Sequence, residues 1–458
     1  MQKHKIRIGA MMAVILLFLI AVTVFLVRFF TFNKKWALYE TNQHIYSQGK
    51  FVNAGAITDR DGNVLSDTKD GTRIYSDNKD IRKATIHIAG DHEGFVSTGV
   101  TNALKDKLVG YSTANGIYTF SGQGNSAELT ISSDISVAAM KALGNNAGCV
   151  GVCNYKTGEV LCMVSTPTYD ISDLEEYEKA KKGELGSVFV NRFISASYTP
   201  GSTFKIVTAA AQIDTLGSGA YNNSQLCNFG TVIEGETLSC MGRHKTVTLE
   251  KAFSHSCNAY FSLTALSLGK NTMTRYAEMF GFNKTFYIEG IACGKTSYNV
   301  KDARNIDYGW SGIGQYTTLM NPVQYLSVVS AIANNGEYIE PYFVHAIRSS
   351  SGKIVYKANP KTVSVINSDT ANKVAALMDF AVKDNYGKST FGQLDICGKT
   401  GTAETGEDKE NSLFVGFCKN QELPLAFVVV VENHKKGGTS AMKVANKTLQ
   451  AAKNTLCK

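Results

Sequence analysis

A run of twenty residues without a charged side chain, from Ile8 to Val27, constrains this chain more than any other feature. A helix of that length, rising 1.5 Å per residue, crosses the hydrocarbon core of a bilayer. A cleavable signal peptide has an apolar stretch of about 7–15 residues followed by a small-x-small site. This run is longer and ends at Val27-Arg28-Phe29-Phe30. We therefore predict an uncleaved anchor over residues 8–30 behind a tail of residues 1–7; a buried core helix and a cleaved signal are the alternatives.

The basic residues around this run do not orient it, because three precede it and three follow it. They are Lys3, Lys5, Arg7, Arg28, Lys34 and Lys35. We find no second apolar stretch of that length, so we expect about 430 residues to lie on one side of the membrane.

The overall composition is that of a folded protein. Hydrophobic residues make up 44% and charged residues 19%, which excludes a disordered or low-complexity chain. Lys plus Arg exceed Asp plus Glu by 47 to 39, and the resulting charge of +8 is a mild bias rather than a nucleic-acid signature. We expect no nucleic-acid partner.

The ten cysteines form no C-x-x-C pair, and the eight histidines do not cluster with them in the sequence. We therefore predict no metal and no cofactor. Most of the cysteines fit small buried hydrophobes. Cys227 and Cys240 bracket a polar loop, where a disulfide and two reduced thiols are both open. For His244 and His255 we expect surface or structural roles.

Residues 31–126 predict a small, β-rich domain. Ile57 and Val64–Leu65 flank an Asp61-Gly62 turn and indicate a hairpin, and 84–89 fits a further strand. Residues 98–108 fit an amphipathic helix. The Gly/Ser-rich stretch 121–126 marks the predicted boundary.

Residues 127–458 predict one mixed α/β domain whose antiparallel sheet takes strands from both ends, with helices between. The predicted strands are 149–153, 160–165, 396–404, 412–418 and 425–431. The predicted helices are 203–216, 259–268, 322–333 and 440–453, of which the first three end at Gly or Asn.

Ser202 and Lys205, in YTPGSTFK, stand three residues apart at the start of a predicted helix. This spacing places both side chains on one face, so the lysine reaches the serine hydroxyl. A lysine can take the serine proton only if it is neutral, and burial or a second cation lowers its pKa. The S-x-x-K pattern is weak by itself, since a helix-capping serine before a surface lysine has the same spacing.

Two further motifs follow in order. Ser256-Cys257-Asn258 offers a hydroxyl and an amide between two helices, and Lys399-Thr400-Gly401-Thr402 lies on a predicted strand. Lys399 supplies a second cation and, with the two threonine hydroxyls, an anion site, while Gly401 allows a substrate backbone to approach. A phosphate-binding loop would need a glycine where Leu394 stands.

The ordered set S-x-x-K, S-x-N and K-T-G resembles the penicilloyl-serine transferases, and most closely the class B penicillin-binding proteins. The similarity extends to GAITDRDGNVL, YKTGEVLCMVSTPTYD, GIGQ, NPVQYLSVVSAIANNG and FVGF, so it covers nearly all of the chain after the anchor. Two departures are Ala54-Gly55, where the family has Arg-Gly, and Ser412-Leu413, where an aromatic often precedes FVGF.

The resemblance implies a β-lactamase/transpeptidase-like fold and a peptidoglycan D,D-transpeptidase. Ser202 would be acylated by a D-Ala-D-Ala stem peptide or a β-lactam, with Lys205 as base, Ser256 as proton relay and Asn258 orienting the peptide. The resemblance also implies that Lys399, Thr400 and Thr402 bind the terminal carboxylate of the substrate. The backbone N–H groups of Ser202 and Thr402 would form the oxyanion hole.

The same resemblance places the catalytic domain outside the membrane. A D,D-carboxypeptidase shares the acylation step, and an idle penicillin-binding scaffold shares the fold, so both remain alternatives. A β-lactamase is disfavoured because no E-x-x-L-N segment follows the second motif. About 95 residues before the catalytic domain are too few for a glycosyltransferase, which implies a separate glycosyltransferase partner.

Overall fold

The fold is taken from a computed structural model that describes residues 2–47, 50–111, 116, 124–406, 409–434 and 439–457. The first helix is the one helix in these ranges that is long and apolar enough to span a membrane, over Gln2–Asn33, and none of its most apolar stretch is buried against the rest of the chain. The helix contains the whole predicted anchor, residues 8–30, and extends beyond it at both ends. Part of the Gly/Ser-rich boundary, 121–123, lies outside the described residues.

The region that follows the anchor has short strands and helices. Its elements, with the first helix, are α1 (Gln2–Ala37), β1 (Tyr46–Ser47), β2 (Lys50–Phe51), β3 (Ile57–Thr58), β4 (Val64–Lys69), β5 (Thr72–Tyr75), α2 (Lys79–Ala89), α3 (Val100–Ala103) and α4 (Lys105–Leu108).

The middle of the chain is mainly helical. Its elements are β6 (Ser126–Leu129), α5 (Ser133–Leu143), β7 (Gly148–Asn154), β8 (Val160–Thr166), α6 (Leu174–Lys181), α7 (Arg192–Ser195), a 3₁₀ turn (Gly201–Phe204), α8 (Lys205–Leu216), α9 (Gly219–Asn222), β9 (Ser224–Cys227), β10 (Gly230–Ile233), β11 (Glu236–Ser239), β12 (Lys245–Thr248), α10 (Leu249–Ser254), α11 (Asn258–Leu268), α12 (Lys270–Met279), β13 (Tyr287–Ile288), β14 (Ile291–Ala292), α13 (Asn305–Ser311) and α14 (Pro322–Ala333).

The remaining elements return to strands. They are β15 (Glu337–Ile339), β16 (Val344–Arg348), β17 (Ile354–Lys357), β18 (Thr362–Ser364), α15 (Ser368–Ala381), a π-helical turn (Val382–Tyr386), a 3₁₀ turn (Lys388–Phe391), β19 (Ile396–Gly406), β20 (Lys409–Cys418), β21 (Leu425–His434) and α16 (Ala441–Leu456).

A five-stranded antiparallel sheet forms the centre of the catalytic region, in the order β19-β20-β21-β7-β8. The prediction of strands from both ends around a helical middle is confirmed. Every residue of β8 is buried, because α5 and α16 cover one face of the sheet and the helical middle covers the other. The predicted helices at 203–216, 259–268 and 322–333 match α8, α11 and α14 within two residues.

A second sheet, of six strands, is ordered β17-β16-β6-β3-β4-β5 and takes strands from both sides of position 126. The hairpin of β3 and β4 is confirmed, and β3 also runs parallel to β6, with Ile57 opposite Ala127. Arg73, on β5, is buried and donates to the carbonyl oxygens of Ala54 and Gly55 at 3.0 and 2.8 Å. The guanidinium of Arg73 therefore contacts the Ala54-Gly55 pair, which stands where the family has Arg-Gly.

The predicted strand at 84–89 is wrong, because these residues form the second half of α2. Asn78 caps this helix by accepting from the N–H groups of Asp80 and Ile81 at 2.9 and 3.3 Å. All six residues from 84 to 89 are buried, so the run shows no helical periodicity. The helix predicted over 98–108 is instead two short ones, α3 and α4.

Candidate active site

Ser202 lies in the 3₁₀ turn that leads directly into α8, in which nine of twelve residues are buried. The turn is held in place because Gly201 N–H donates to Gly314 O at 3.0 Å. Gly201 has φ of +51°, and a Cβ built there would lie 2.3 Å from Thr402 O. The turn therefore packs directly on the backbone of β19, which brings the first and third motifs together.

Lys205 extends from the first turn of α8 into the centre of the site and is fully buried. Its Nζ lies 3.0 Å from Ser202 Oγ, as the spacing of three predicts. It donates to Ser256 O at 2.7 Å and to Asn258 Oδ1 at 2.8 Å. Because these two oxygens can only accept, they use two of the three donor directions of an ammonium and leave one for a hydroxyl.

Ser256 stands between α10 and α11, and Asn258 is the first residue of α11. Ser256 has φ of +55°, a left-handed conformation that is uncommon outside glycine and costs of order 1–3 kcal/mol. This backbone turns both the carbonyl and the hydroxyl of Ser256 toward Lys205, at 2.7 and 3.0 Å. Asn258 is anchored because its Nδ2 donates to Ser239 O at 3.1 Å. The second motif thus holds the lysine from one side.

Lys399, on β19, is also fully buried and approaches from the opposite side. Its Nζ lies 3.1 Å from Ser256 Oγ, which stands between the two lysines. The same Nζ donates to Thr400 O at 3.1 Å. A single hydroxyl therefore connects Lys205 to Lys399, and a proton can pass between them through it.

The two lysines have no carboxylate among the side-chain partners that the structure gives them. Burial, and next the charge of Lys399, hold the pKa of Lys205 well below its usual value. Burial lowers the pKa of Lys399 to about 7. The pair can hold one lysine neutral and one charged near neutral pH, which suits a base beside an anion site.

Tyr386, in the π-helical turn after α15, was not found from the sequence. Its OH lies 3.3 Å from Lys399 Nζ and 3.1 Å from Thr400 Oγ1. Burial raises the pKa of Tyr386, so the phenol stays protonated and can donate. No motif links Tyr386 to Lys399 across thirteen positions, and only the fold brings them together.

An open cleft of about 590 Å³ runs past these groups. The predicted residues Ser202, Ser256, Asn258, Thr400, Gly401 and Thr402 all line it. The cleft is also lined by residues to which the sequence analysis gave no role in the site: Trp310, Ile313, Gln315 and Tyr316. β19 is an edge strand of the sheet, so an extended peptide can pair with it beside the serine.

Histidines and cysteines that stand apart in the sequence come together in the fold. His244 Nδ1 lies 3.5 Å from Cys227 Sγ and 3.4 Å from Cys240 Sγ, and Cys257 joins the same cluster. Cys227 and Cys240 are free thiols in this structure. His255 Nε2 lies 3.4 Å from Asp384 Oδ2 rather than standing alone. The cysteine–histidine contacts could not be predicted from the sequence, because the pairing of β10 with β11 and of β9 with β12 is what brings these residues together.

Comparisons with known proteins agree with this geometry. Residues 148–450 match the family described as the penicillin binding protein transpeptidase domain. Peptidoglycan D,D-transpeptidase PbpA of Mycolicibacterium smegmatis is 28% identical over 400 residues, which cover 78% of this chain and 80% of that protein. Stage V sporulation protein D of Bacillus subtilis is 26% identical over 357 residues, covering 73% of this chain and 54% of that protein.

Solved structures share the fold. The D,D-transpeptidase domain of a peptidoglycan glycosyltransferase from Eggerthella lenta has 25% identity and a TM-score of 0.77, covering 88% of this chain and 98% of its own. Penicillin-binding protein A of M. tuberculosis, solved as a ceftriaxone acyl-enzyme complex, has 24% identity and a TM-score of 0.77, covering 87% and 98%.

Proposed function

Because this chain belongs to the penicillin-binding protein transpeptidase family, we propose that it is a peptidoglycan D,D-transpeptidase with Ser202 as nucleophile. The observation that carries the proposal is the contact of 3.0 Å between Ser202 Oγ and the Nζ of a fully buried lysine. A serine needs a base at hydrogen-bond distance, and Lys205 is the basic group there.

Acylation begins when Ser202 Oγ attacks the carbonyl of the penultimate D-Ala and gives its proton to neutral Lys205. The developing oxyanion accepts hydrogen bonds from the backbone N–H groups of Ser202 and Thr402, each worth about 3–4 kcal/mol of barrier in well-studied hydrolases. The proton then moves from Lys205 through Ser256 Oγ to the amine of the departing D-Ala. The bond to that amine breaks, and an ester on Ser202 remains.

Deacylation reverses this order with a different amine. The amino group of a neighbouring stem peptide attacks the ester carbonyl and passes its proton back through Ser256 and Lys205 to Ser202 Oγ. The products are the crosslinked peptide and the free enzyme. Because no new charged group is needed, the same residues serve both half-reactions.

The third motif binds the substrate end. Lys399, Thr400 and Thr402 hold the terminal carboxylate, and Gly401 lets the peptide backbone approach β19. Asn258 orients the peptide while it holds Lys205. Tyr386 fixes the positions of Lys399 and Thr400 by contacts of 3.3 and 3.1 Å.

The wider arrangement follows from α1, which is long and apolar enough to anchor the chain. We propose a single-pass membrane protein whose catalytic domain, residues 127–458, acts outside the membrane with residues 31–126 as its pedestal. Its substrates are peptidoglycan stem peptides, and β-lactams acylate the same serine. A separate glycosyltransferase supplies the glycan strands.

The first prediction tests the nucleophile by intact-mass measurement after exposure of the full-length protein to penicillin. We expect one intact drug per chain, mapped to Ser202, that persists far longer than the acylation time, and no adduct in Ser202→Ala. The matched control is Ser218→Ala, since Ser218 is exposed just beyond the opposite end of α8. Mapping to another serine, or rapid release of hydrolysed drug, would remove the transpeptidase proposal.

The acceptor distinguishes the proposal from its nearest alternative. A donor peptide ending in D-Ala-D-Ala is supplied with and without a second peptide that carries a free amine. A crosslinked product supports the transpeptidase, whereas the shortened donor alone indicates a D,D-carboxypeptidase. A catalytically idle scaffold would give neither product.

The second prediction is a bell-shaped pH dependence of the second-order acylation rate constant. The rate rises with pH as Lys205 loses its proton, because its pKa lies well below the usual value. It falls as Lys399, with a pKa of about 7, loses the charge that attracts the carboxylate. The lysines interact, so both limbs belong to the pair.

The variant Lys399→Arg separates the two limbs. A guanidinium remains charged at every pH of the measurement, so we expect the descending limb to disappear while the ascending limb remains. The rate constant is measured with a fluorescent penicillin from pH 5 to 10. A descending limb that persists in the variant would assign it to another group.

A further inference from the structure

Four potential metal ligands lie together beside the second motif. They are Cys227, at the end of β9; Cys240, just after β11; His244, just before β12; and Cys257, just before α11. Their ligand atoms all lie within 4.8 Å of one another. Two of the sulfur–nitrogen distances are 3.5 and 3.4 Å, from His244 Nδ1 to Cys227 and Cys240.

These distances fit a tetrahedral zinc ion. With Zn–S of about 2.3 Å and Zn–N of about 2.0–2.1 Å, a regular tetrahedron separates sulfur from nitrogen by about 3.6 Å. Three thiolates and one imidazole form a closed ligand set of the kind found in structural zinc sites, with no position left for a reacting water. A disulfide would join two of the cysteines and leave the third thiol and the histidine unused.

The surroundings fit a bound thiolate. Asn258 N–H points at Cys240 Sγ, at 3.2 Å, and such N–H donors are what metal-bound ligands receive from the residues around them. Cys227 and Cys257 are buried, whereas Cys240 and His244 are half-buried. Metal can therefore enter from the exposed side, and the ligands need little rearrangement.

We propose that Cys227, Cys240, His244 and Cys257 bind one zinc ion, which fixes the second motif against the strands β9 to β12. Zinc binding displaces the protons of the three thiols to solvent, and no electron is transferred. The four ligands make the site structural. They act as positioning residues, since none of them touches the reacting atoms.

The strands that carry three of the four ligands have little stability of their own, so a bound ion would stabilise them. The strands β9 to β12 form two separate two-stranded sheets, and a two-stranded sheet has little stability by itself. Leu226 and Val232 on these strands, and Phe229 between β9 and β10, are exposed rather than packed into a core. Ile233, Leu238 and Val247 on these strands are buried against the core, and Asn258 joins the strands to the motif because it donates to Ser239 O. A metal crosslink would therefore fix Asn258 and the left-handed Ser256.

The test uses the full-length protein, purified under reducing conditions, and measures metal content and Co²⁺ spectra. We expect about one zinc per chain, and after replacement by Co²⁺ the thiolate charge-transfer and tetrahedral d–d bands. Cys227→Ser and His244→Ala should weaken zinc affinity at least 10-fold. Cys293→Ser is the matched control, because Cys293 is a half-buried free thiol outside the cluster.

The positioning role has its own readout and rests on the proposed function, whereas metal binding does not. We expect Cys227→Ser, or removal of zinc by a chelator, to slow acylation of Ser202 about 10-fold, with recovery when zinc is returned to the wild type. Absence of zinc after reconstitution, absence of thiolate bands, or an intact mass lower by the two hydrogens of a disulfide would overturn the site. Zinc binding with unchanged acylation would overturn the positioning role alone.

Discussion

Lys205→Arg should lower the second-order acylation rate constant by about 10²- to 10⁴-fold, the range that a general base contributes. The reason is chemical: arginine keeps the charge but cannot accept the serine proton at neutral pH. The loss should be the same for a β-lactam that carries a carboxylate and for its ester, because the base acts on Ser202 and not on the ligand. The measurement is the acylation rate with both ligands.

Lys399→Arg is the matched comparison, since it makes the same substitution at the second buried lysine. The guanidinium still attracts a carboxylate and still raises the cost of a charge on Lys205. We therefore expect acylation to survive, weakened mainly for the carboxylate-bearing ligand. Both variants should unfold near the wild-type temperature, which separates chemistry from folding.

The opposite outcome would reverse the assigned roles. Normal acylation by Lys205→Arg, together with no acylation by Lys399→Arg toward either ligand, would make Lys399 the base. Ser256 Oγ is nearly equidistant from the two lysines, at 3.0 Å from Lys205 Nζ and 3.1 Å from Lys399 Nζ, so either lysine could exchange a proton with it. Of the two lysines, however, it is Lys205 whose Nζ lies 3.0 Å from Ser202 Oγ.

The sequence predicted most where a local rule fixes the geometry. Residues three apart share a helix face, so Ser202 and Lys205 had to meet once the helix formed. The Asn after Ala333 predicted the end of α14, and the structure shows that Asn321 caps its start by accepting from Val323 N–H at 2.9 Å. The catalytic roles of these residues remain predictions, which the variants above address.

The sequence failed where distant parts of the chain decide the environment. The run 84–89 looked like a strand because burial on all sides of α2 removed its periodicity; His87 Nε2, for example, lies 2.7 Å from Val188 O. Tyr386 and the cysteine cluster were missed for a related reason. Their partners lie on other elements, and no spacing rule connects residues that only tertiary packing brings together.

The last prediction concerns the contact that joins the first and third motifs. A methyl group at Gly201 would lie 2.3 Å from Thr402 O, about 1 Å closer than contact allows, so one of the two backbones must shift. Gly201→Ala should therefore push the serine turn off β19. A misplacement of about 1 Å costs on the order of 100-fold in rate, so we expect a loss of that size in acylation of Ser202.

Gly217→Ala is the matched control, because its φ of +54° equals that of Gly201 within a few degrees and a Cβ there meets nothing within 4 Å. Both variants place an alanine at a positive φ, which strains the backbone, but only Gly201→Ala adds the collision. We expect Gly217→Ala to acylate within twofold of wild type, with both rates measured below the unfolding temperature of each variant. Equal rates in the two variants would mean that β19 shifts to accommodate the methyl group, so that the serine and the K-T-G strand are not held rigidly against each other.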